Sequence, residues 1–190
     1  MEKESRSLTV KIAVSLLLAA IIQTTLAQNL PATIAQWFGH IDWILLIVVY
    51  VGLQRDPVQV LMTGTAAGIV LNAFSWGRGF GIAGLGYVLA GYVVNRIVAW
   101  IVADNPFVRF SIVAAGTVVS TVIRVIFFRV LQIELPAVVG GKNIGATIVF
   151  SLIGNLIASV PLFLLLDRIF LKNATVRSRR LEARRMRPRL

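Results

Sequence analysis

The 190-residue chain contains no cysteine, which removes disulfide frameworks, thiolate metal sites, iron-sulfur ligation and cysteine nucleophiles together. It has one histidine, His40, two residues before Asp42. Neither a histidine-rich metal site nor a Ser/His/Asp triad has the parts it needs. Charge is scarce as well, with 14% charged residues against 57% hydrophobic ones and a mean hydropathy of +0.84. A water-soluble enzyme of this length has no interior large enough to hide that much apolar surface. Acidic groups are scarcest: eight Asp and Glu stand against 19 Lys and Arg, a net charge of +11. Such a surplus points to nucleic acid or to an anionic membrane surface, and the placement of the charges decides between them.

What the chain has in quantity is long apolar runs. A spanning helix needs about 20 apolar residues, and six runs qualify or come close: 9–27, 41–53, 58–74, 80–102, 107–131 and 143–166. The expected fold class is therefore an all-α integral membrane protein, a six-transmembrane-helix bundle over 1–167 followed by a basic tail over 168–190. Turn residues separate the runs: Asn29 to Pro31, Asp56-Pro57, Gly77 to Gly79, Asp104-Asn105-Pro106 and Pro136 to Asn143. The second and third runs are short, and Gln54 to Pro57 would also suit the tip of a re-entrant hairpin. The first run has some features of a secretory signal, with Lys3, Arg6 and Lys11 ahead of it and Thr25-Leu26-Ala27 as a cleavage site. Its apolar stretch is longer than a signal core, which favours a retained span.

Orientation follows from the rule that Lys and Arg near spans stay on the cytoplasmic side. With the N-terminus inside, fifteen of the nineteen basic residues are cytoplasmic and only Arg78 and Lys142 lie in outer loops. Both termini are then expected in the cytoplasm. The tail from Arg168 carries nine basic residues against Glu182 and leaves a membrane helix directly, where attraction to anionic headgroups is worth about 1 kcal/mol per residue. Arg177, Arg179, Arg180, Arg184 and Arg185 are thus expected to meet lipid rather than nucleic acid, in a segment disordered in water.

Gly79-Phe80-Gly81-Ile82-Ala83-Gly84 matches the G-x-G-x-x-G dinucleotide fingerprint but opens a membrane helix instead of following a buried strand. Small-residue packing is the better reading, with Gly64 and Gly68 on the third run and Gly84, Gly86, Ala90 and Gly91 on the fourth. In lipid, helices associate through close backbone approach and dispersion contacts, so these two are expected to cross closely. Arg124 is the most informative single residue, because a charge inside a span costs roughly 2.5 to 3.5 kcal/mol on insertion scales and normally has a partner. At 1.5 Å per residue it sits about 25 Å along its helix, near the outer face. Asp42, Asn72, Arg78, Arg129 and Glu134 converge there by topology. Arg124 is expected either to pair internally with Asp42 or Glu134 while Arg129 snorkels, or to contact a partner helix or an anionic headgroup. Trp37, Phe38, Trp43, Trp76 and Trp100 mark helix ends as an interfacial belt does. Asn155 and Ser159 precede Pro161 and are placed to bond across helices or to fill groups that the proline frees, with a kink there. No catalytic constellation, metal motif or cofactor site is legible, so the chain reads as a non-enzyme that needs no cofactor.

From Ile41 to Arg96 the runs IDWILLIVVYVGLQRDP and GTAAGIVLNAFSWGRGFGIAGLGYVLAGY resemble the MreD family of rod shape-determining membrane proteins. The resemblance rests on Asp42, Tyr50, Arg55 with Pro57, Gly64 with Gly68, Asn72, Gly81 or Gly84, and Tyr87 or Tyr92. Ile41 and Asn72 depart from the Pro and Asp common in that family, and the basic tail is longer. The resemblance implies an inner-membrane subunit of the cell-elongation machinery. Such a subunit binds MreC and acts with RodA, its partner transpeptidase and MreB in lateral wall synthesis. It also implies a fold similar to the substrate-binding subunits of vitamin transporters. Membership of such a transporter is the alternative function, although Ala13, Ala19 and Ala20 lack the A-x-x-x-A spacing expected of its first helix. A lipid-processing enzyme acting at the outer polar cluster is a more distant third.

Overall fold

The computed structural model describes residues 2–54, 56–74, 81–101, 105–132 and 144–185, with side chains placed in these ranges except at 2–7, 26–28, 32–33, 36, 106, 144 and 171–185. The described residues form helices only: α1 (Glu2–Asn29), α2 (Ala32–Phe38), α3 (Trp43–Gly52), α4 (Pro57–Phe74), α5 (Ile82–Trp100), α6 (Pro106–Val130) and α7 (Ile144–Arg185). Five of them contain stretches long and apolar enough to cross a membrane, namely Leu8–Thr25, Pro57–Phe74, Ile82–Trp100, Phe107–Val130 and Gly145–Phe170. The chain is a multi-span helical membrane protein. It divides into two compact units, Met1–Ser159 and Val160–Leu190, of which the first contains every side chain discussed below except Pro161 and the residues of the tail.

The second expected run, 41–53, contains the short helix α3. α3 has 10 residues, about 15 Å at 1.5 Å per residue, half the thickness of the hydrocarbon core. Every residue from Ile44 to Gly52 is buried. Covered on all sides along that stretch, α3 is the central post of the first unit, packed on α1, α4, α5 and α6. It ends where Asp56-Pro57 opens α4: the Asp56 carboxylate accepts from the Val58 and Gln59 amides at 3.1 and 3.2 Å, and Pro57 occupies a position that has no helical amide bond to lose.

Two further differences concern helix extent. The segment after Pro31, expected as a connection, forms α2, with the Pro31 carbonyl accepting from Ile34 and Ala35. The basic tail, expected to be disordered, continues α7 to Arg185, in a run rich in Leu, Ala and Arg, which favour helix. α7 runs through Pro161. The Ser159 hydroxyl donates to the Leu156 carbonyl at 2.7 Å, one residue short of the carbonyl that the proline leaves without its amide.

Packing around α3 depends on missing side chains. A Cβ on Gly52 would lie 2.7 Å from Val94 Cγ1, one on Gly91 2.7 Å from Val60 Cγ1, and one on Gly116 2.8 Å from Val49 Cγ2. The most extensive helix pair is α4 with α5. At their crossing a Cβ on Gly68 would overlap Gly84 Cα, and one on Gly64 would lie 2.8 Å from Val88 Cα. The neighbours there are backbone atoms, which cannot rotate away. Gly68→Ala is therefore expected to lower stability in detergent by about 1 to 3 kcal/mol. Gly84→Ala, whose Cβ meets Gly68 Cα at 3.2 Å, should cost less. Thermal unfolding of the two variants checks this order; a Gly68→Ala protein as stable as the parent would contradict the crossing.

Candidate functional site

Asp42 precedes the first residue of α3, and its carboxylate and backbone amide together are the point where four helices meet. Oδ1 accepts from the Leu45 amide at 2.9 Å, closing the N-terminus of α3 as an N-cap does and placing negative charge at the positive end of the helix dipole. The Tyr87 hydroxyl on α5 donates to the same carboxylate, 3.0 Å from Oδ1 and 3.2 Å from Oδ2. Arg124 on α6 forms an ion pair with Oδ2 through Nη2. The Asp42 amide donates to Asn155 Oδ1 on α7 at 2.8 Å. Because a backbone amide only donates, this bond fixes the orientation of the Asn155 side chain. Its Nδ2 then donates to Thr117 Oγ1 on α6, at 3.1 Å, and the Thr117 hydroxyl donates in turn to the Val113 carbonyl at 2.9 Å.

Arg124 is held from two sides. Its guanidinium carbon lies 4.6 Å from the centre of the Tyr87 ring, so a cation-π contact supplements the ion pair. Its stem passes Gly86, where a Cβ would come within 3.3 Å of Arg124 Cγ. The pair is mostly shielded, with side-chain exposure of 18% for Arg124 and 13% for Asp42. In such surroundings removal of one partner is far more costly than the net gain from the pair, because it strands the other charge.

Beside the pair lies a polar cavity of about 60 Å³ lined from α1, the α2–α3 turn, α6 and α7. His40 belongs to that turn, with its ring 5.6 Å from Phe150, and Trp37 meets Phe150 edge-on at 5.3 Å. Burial holds the His40 pKa below its ordinary value of 6.5, so the ring is neutral at neutral pH. At the opposite end of α3, buried Asn95 on α5 donates to the Gly52 carbonyl at 3.3 Å. Tyr87 and Asn95 tie the start and the end of α3 to the start and the end of α5, which fixes these two helices as parallel neighbours.

The expected polar cluster is thus assembled in part. Asp42 and Arg124 pair with each other, and Asn155 bonds across helices while Ser159 bonds locally. Asn72 is half-buried near the end of α4 and Arg129 is exposed in the last turn of α6; neither belongs to the network. Arg78, Glu134 and Trp76 lie outside the described residues, as do the side chains of Arg177, Arg179, Arg180, Arg184 and Arg185. Gly64, Gly68, Gly84 and Gly91 line the internal crossings given above. Trp37 and Trp100 are exposed near helix ends. Sequence reasoning passed over Gln23, Thr117, Ser120 and Asn95. A signal existed for two of them: Thr117, Ser120 and Arg124 follow one another at i, i+3 and i+7, which sets them on one face of α6.

These features define a class: a multi-span helical membrane protein with an ion pair, Asp42 and Arg124, inside its helix bundle. Within that class, the family model of the rod shape-determining protein MreD matches residues 9–172, and the chain belongs to the MreD family. No curated protein and no solved structure matches it significantly. Membership makes it a membrane protein of a rod shape-determining family, and that family is structural in character.

The network predicts a graded response. Tyr87→Phe keeps the ring under Arg124 and loses one hydrogen bond, so it should cost about 1 kcal/mol. Asn155→Leu leaves the Asp42 amide unpaired as well and should cost about 2 to 3 kcal/mol. Unfolding in detergent micelles measures both, and an Asn155→Leu protein no less stable than the Tyr87→Phe protein would count against the network.

Proposed function

We propose that this chain is a non-enzymatic scaffold subunit of the bacterial cell-elongation complex. In this reading it binds MreC in the inner membrane and helps direct lateral peptidoglycan synthesis and cell shape, with RodA, its partner transpeptidase and MreB in the wider assembly. The observation that carries the proposal is the family match over 9–172. The bonds that join Asp42 to Tyr87, Arg124 and Asn155 give these polar groups a structural use within the bundle, in keeping with a scaffold. The same family match favours this role over that of a vitamin-transporter subunit. Both termini are assigned to the cytoplasm on the distribution of Lys and Arg, and the basic tail is assigned to the anionic lipid surface.

The glycine faces of α4 and α5 are taken up by their mutual crossing. What those helices leave for the membrane helix of MreC is their other side, where Leu61, Met62 and Ile69 of α4 and Leu85, Leu89 and Tyr92 of α5 are exposed. A bulky residue at Gly64 or Gly68 therefore tests the fold, and a test of docking belongs on the outer side.

Co-expression of the tagged chain with the MreC of the same organism, followed by gentle solubilisation and gel filtration, is expected to give co-elution at fixed stoichiometry. Met62→Ala with Leu89→Ala should weaken capture several-fold while leaving the unfolding temperature within a few degrees of the parent. Elution of the folded chain without MreC would overturn the proposal.

A further inference from the structure

Four buried polar atoms around the cavity beside Asp42 have no hydrogen-bond partner among the described residues: Gln23 Oε1, His40 Nδ1, Ser120 Oγ and Arg124 Nε. All four residues line the same space. Ser120 is 1% exposed, so its hydroxyl has nowhere to turn except that space or its own backbone. Buried polar atoms are almost always satisfied, and within a bilayer an unsatisfied one costs several kcal/mol. Four that converge from α1, the α2–α3 turn and α6 on one cavity amount to a set of contacts prepared for an occupant.

The chemistry of the lining selects the occupant. Arg124 is neutralised by Asp42 and His40 is uncharged, so the site carries no net charge to draw a free anion. Gln23 Oε1 only accepts, Arg124 Nε only donates, and Ser120 Oγ does both. A group that donates and accepts within a few ångströms fits this pattern, and a polyhydroxyl chain presents several such groups at once to contacts spread over α1, the α2–α3 turn and α6. At roughly 10 to 15 Å³ per water-sized centre, 60 Å³ admits a group of several heavy atoms. Depth favours an occupant reached from the interface: Gln23 lies near the end of the apolar stretch Leu8–Thr25, Asp42 precedes α3, and exposed Trp37 stands nearby on α2.

We propose that this cavity is a binding site for a neutral polyhydroxyl group, either a free polyol or the terminal glycerol or sugar of a lipid headgroup. The hydroxyls donate to Gln23 Oε1, accept from Arg124 Nε, and exchange bonds with Ser120 Oγ. The site lies within the helix bundle and does not depend on the scaffold role or on its partner.

The test uses the full chain in detergent free of glycerol and sugars. Native mass spectrometry and thermal unfolding are followed with phosphatidylglycerol, with phosphatidic acid, which has the same acyl chains and phosphate but no terminal glycerol, and with free glycerol at millimolar concentration. Retention of phosphatidylglycerol at least fivefold above phosphatidic acid, abolished by Gln23→Leu and by Ser120→Val, supports the lipid source. Stabilisation by free glycerol with no lipid preference, lost in the same variants, supports the free polyol. Gln23→Leu removes an unpaired acceptor and should fold at least as well as the parent, which keeps the test decisive should Ser120→Val misfold. Equal retention of the two lipids without a glycerol effect, or retention unchanged in Gln23→Leu, overturns the proposal, as does the absence of any binding.

Discussion

The fold turns on the carboxylate of Asp42. A short, almost wholly apolar helix has few means of choosing its depth among neighbours that are equally apolar, because dispersion contacts discriminate weakly between one sliding register and the next. Asp42 supplies that choice. Its oxygens close the start of α3 and receive Tyr87 from α5 and Arg124 from α6, while its amide engages Asn155 of α7. Each of these bonds is available at one register only. Gly52, bonded through its carbonyl to Asn95, secures the other end.

The glycines are the complement of that arrangement. Directional bonds set the register, and the absence of Cβ atoms at Gly52, Gly91 and Gly116 lets α4, α5 and α6 close on the post. Gly86 has a more specific task, since it clears the path of the Arg124 stem toward Asp42. The same economy explains why the α4–α5 crossing is so close at Gly68 and Gly84. These residues build the bundle, and a partner helix in the membrane has to be met by its outer side chains.

Much of this was legible in the amino-acid sequence, and the exceptions have physical causes. Apolar length located the long helices, and the cost of an intramembrane charge singled out Arg124, with Asp42 or Glu134 as its internal partner and a partner helix or a headgroup as the alternative. The eventual depth of α3 was hidden, because an apolar run of about a dozen residues reads alike whether it faces lipid or protein. α2 was missed because a helix of 7 residues has too few turns to show a period. Asn72 and Arg129 were grouped with Asp42 by topology alone, which gives the level of a residue in the membrane but not the side of the helix it occupies. Ser120 and Thr117 look unremarkable among apolar neighbours, since small hydroxyl residues are common in membrane helices and most bond to their own backbone, as Thr63 and Ser111 do here. Only their shared face with Arg124 distinguishes them.

The central claim is that Asp42 and Arg124 form one unit on which the positions of α3 and α6 depend, and a double-mutant cycle tests it most directly. Asp42→Asn, Arg124→Met and the combined variant are to be compared with the parent by unfolding in detergent micelles. Each single change strands a buried charge or a buried donor and is expected to cost about 3 to 5 kcal/mol, whereas the combined variant should cost clearly less than the two single losses together, with a coupling of at least about 1 kcal/mol. Losses that simply add would mean that the two residues act independently and would contradict the account.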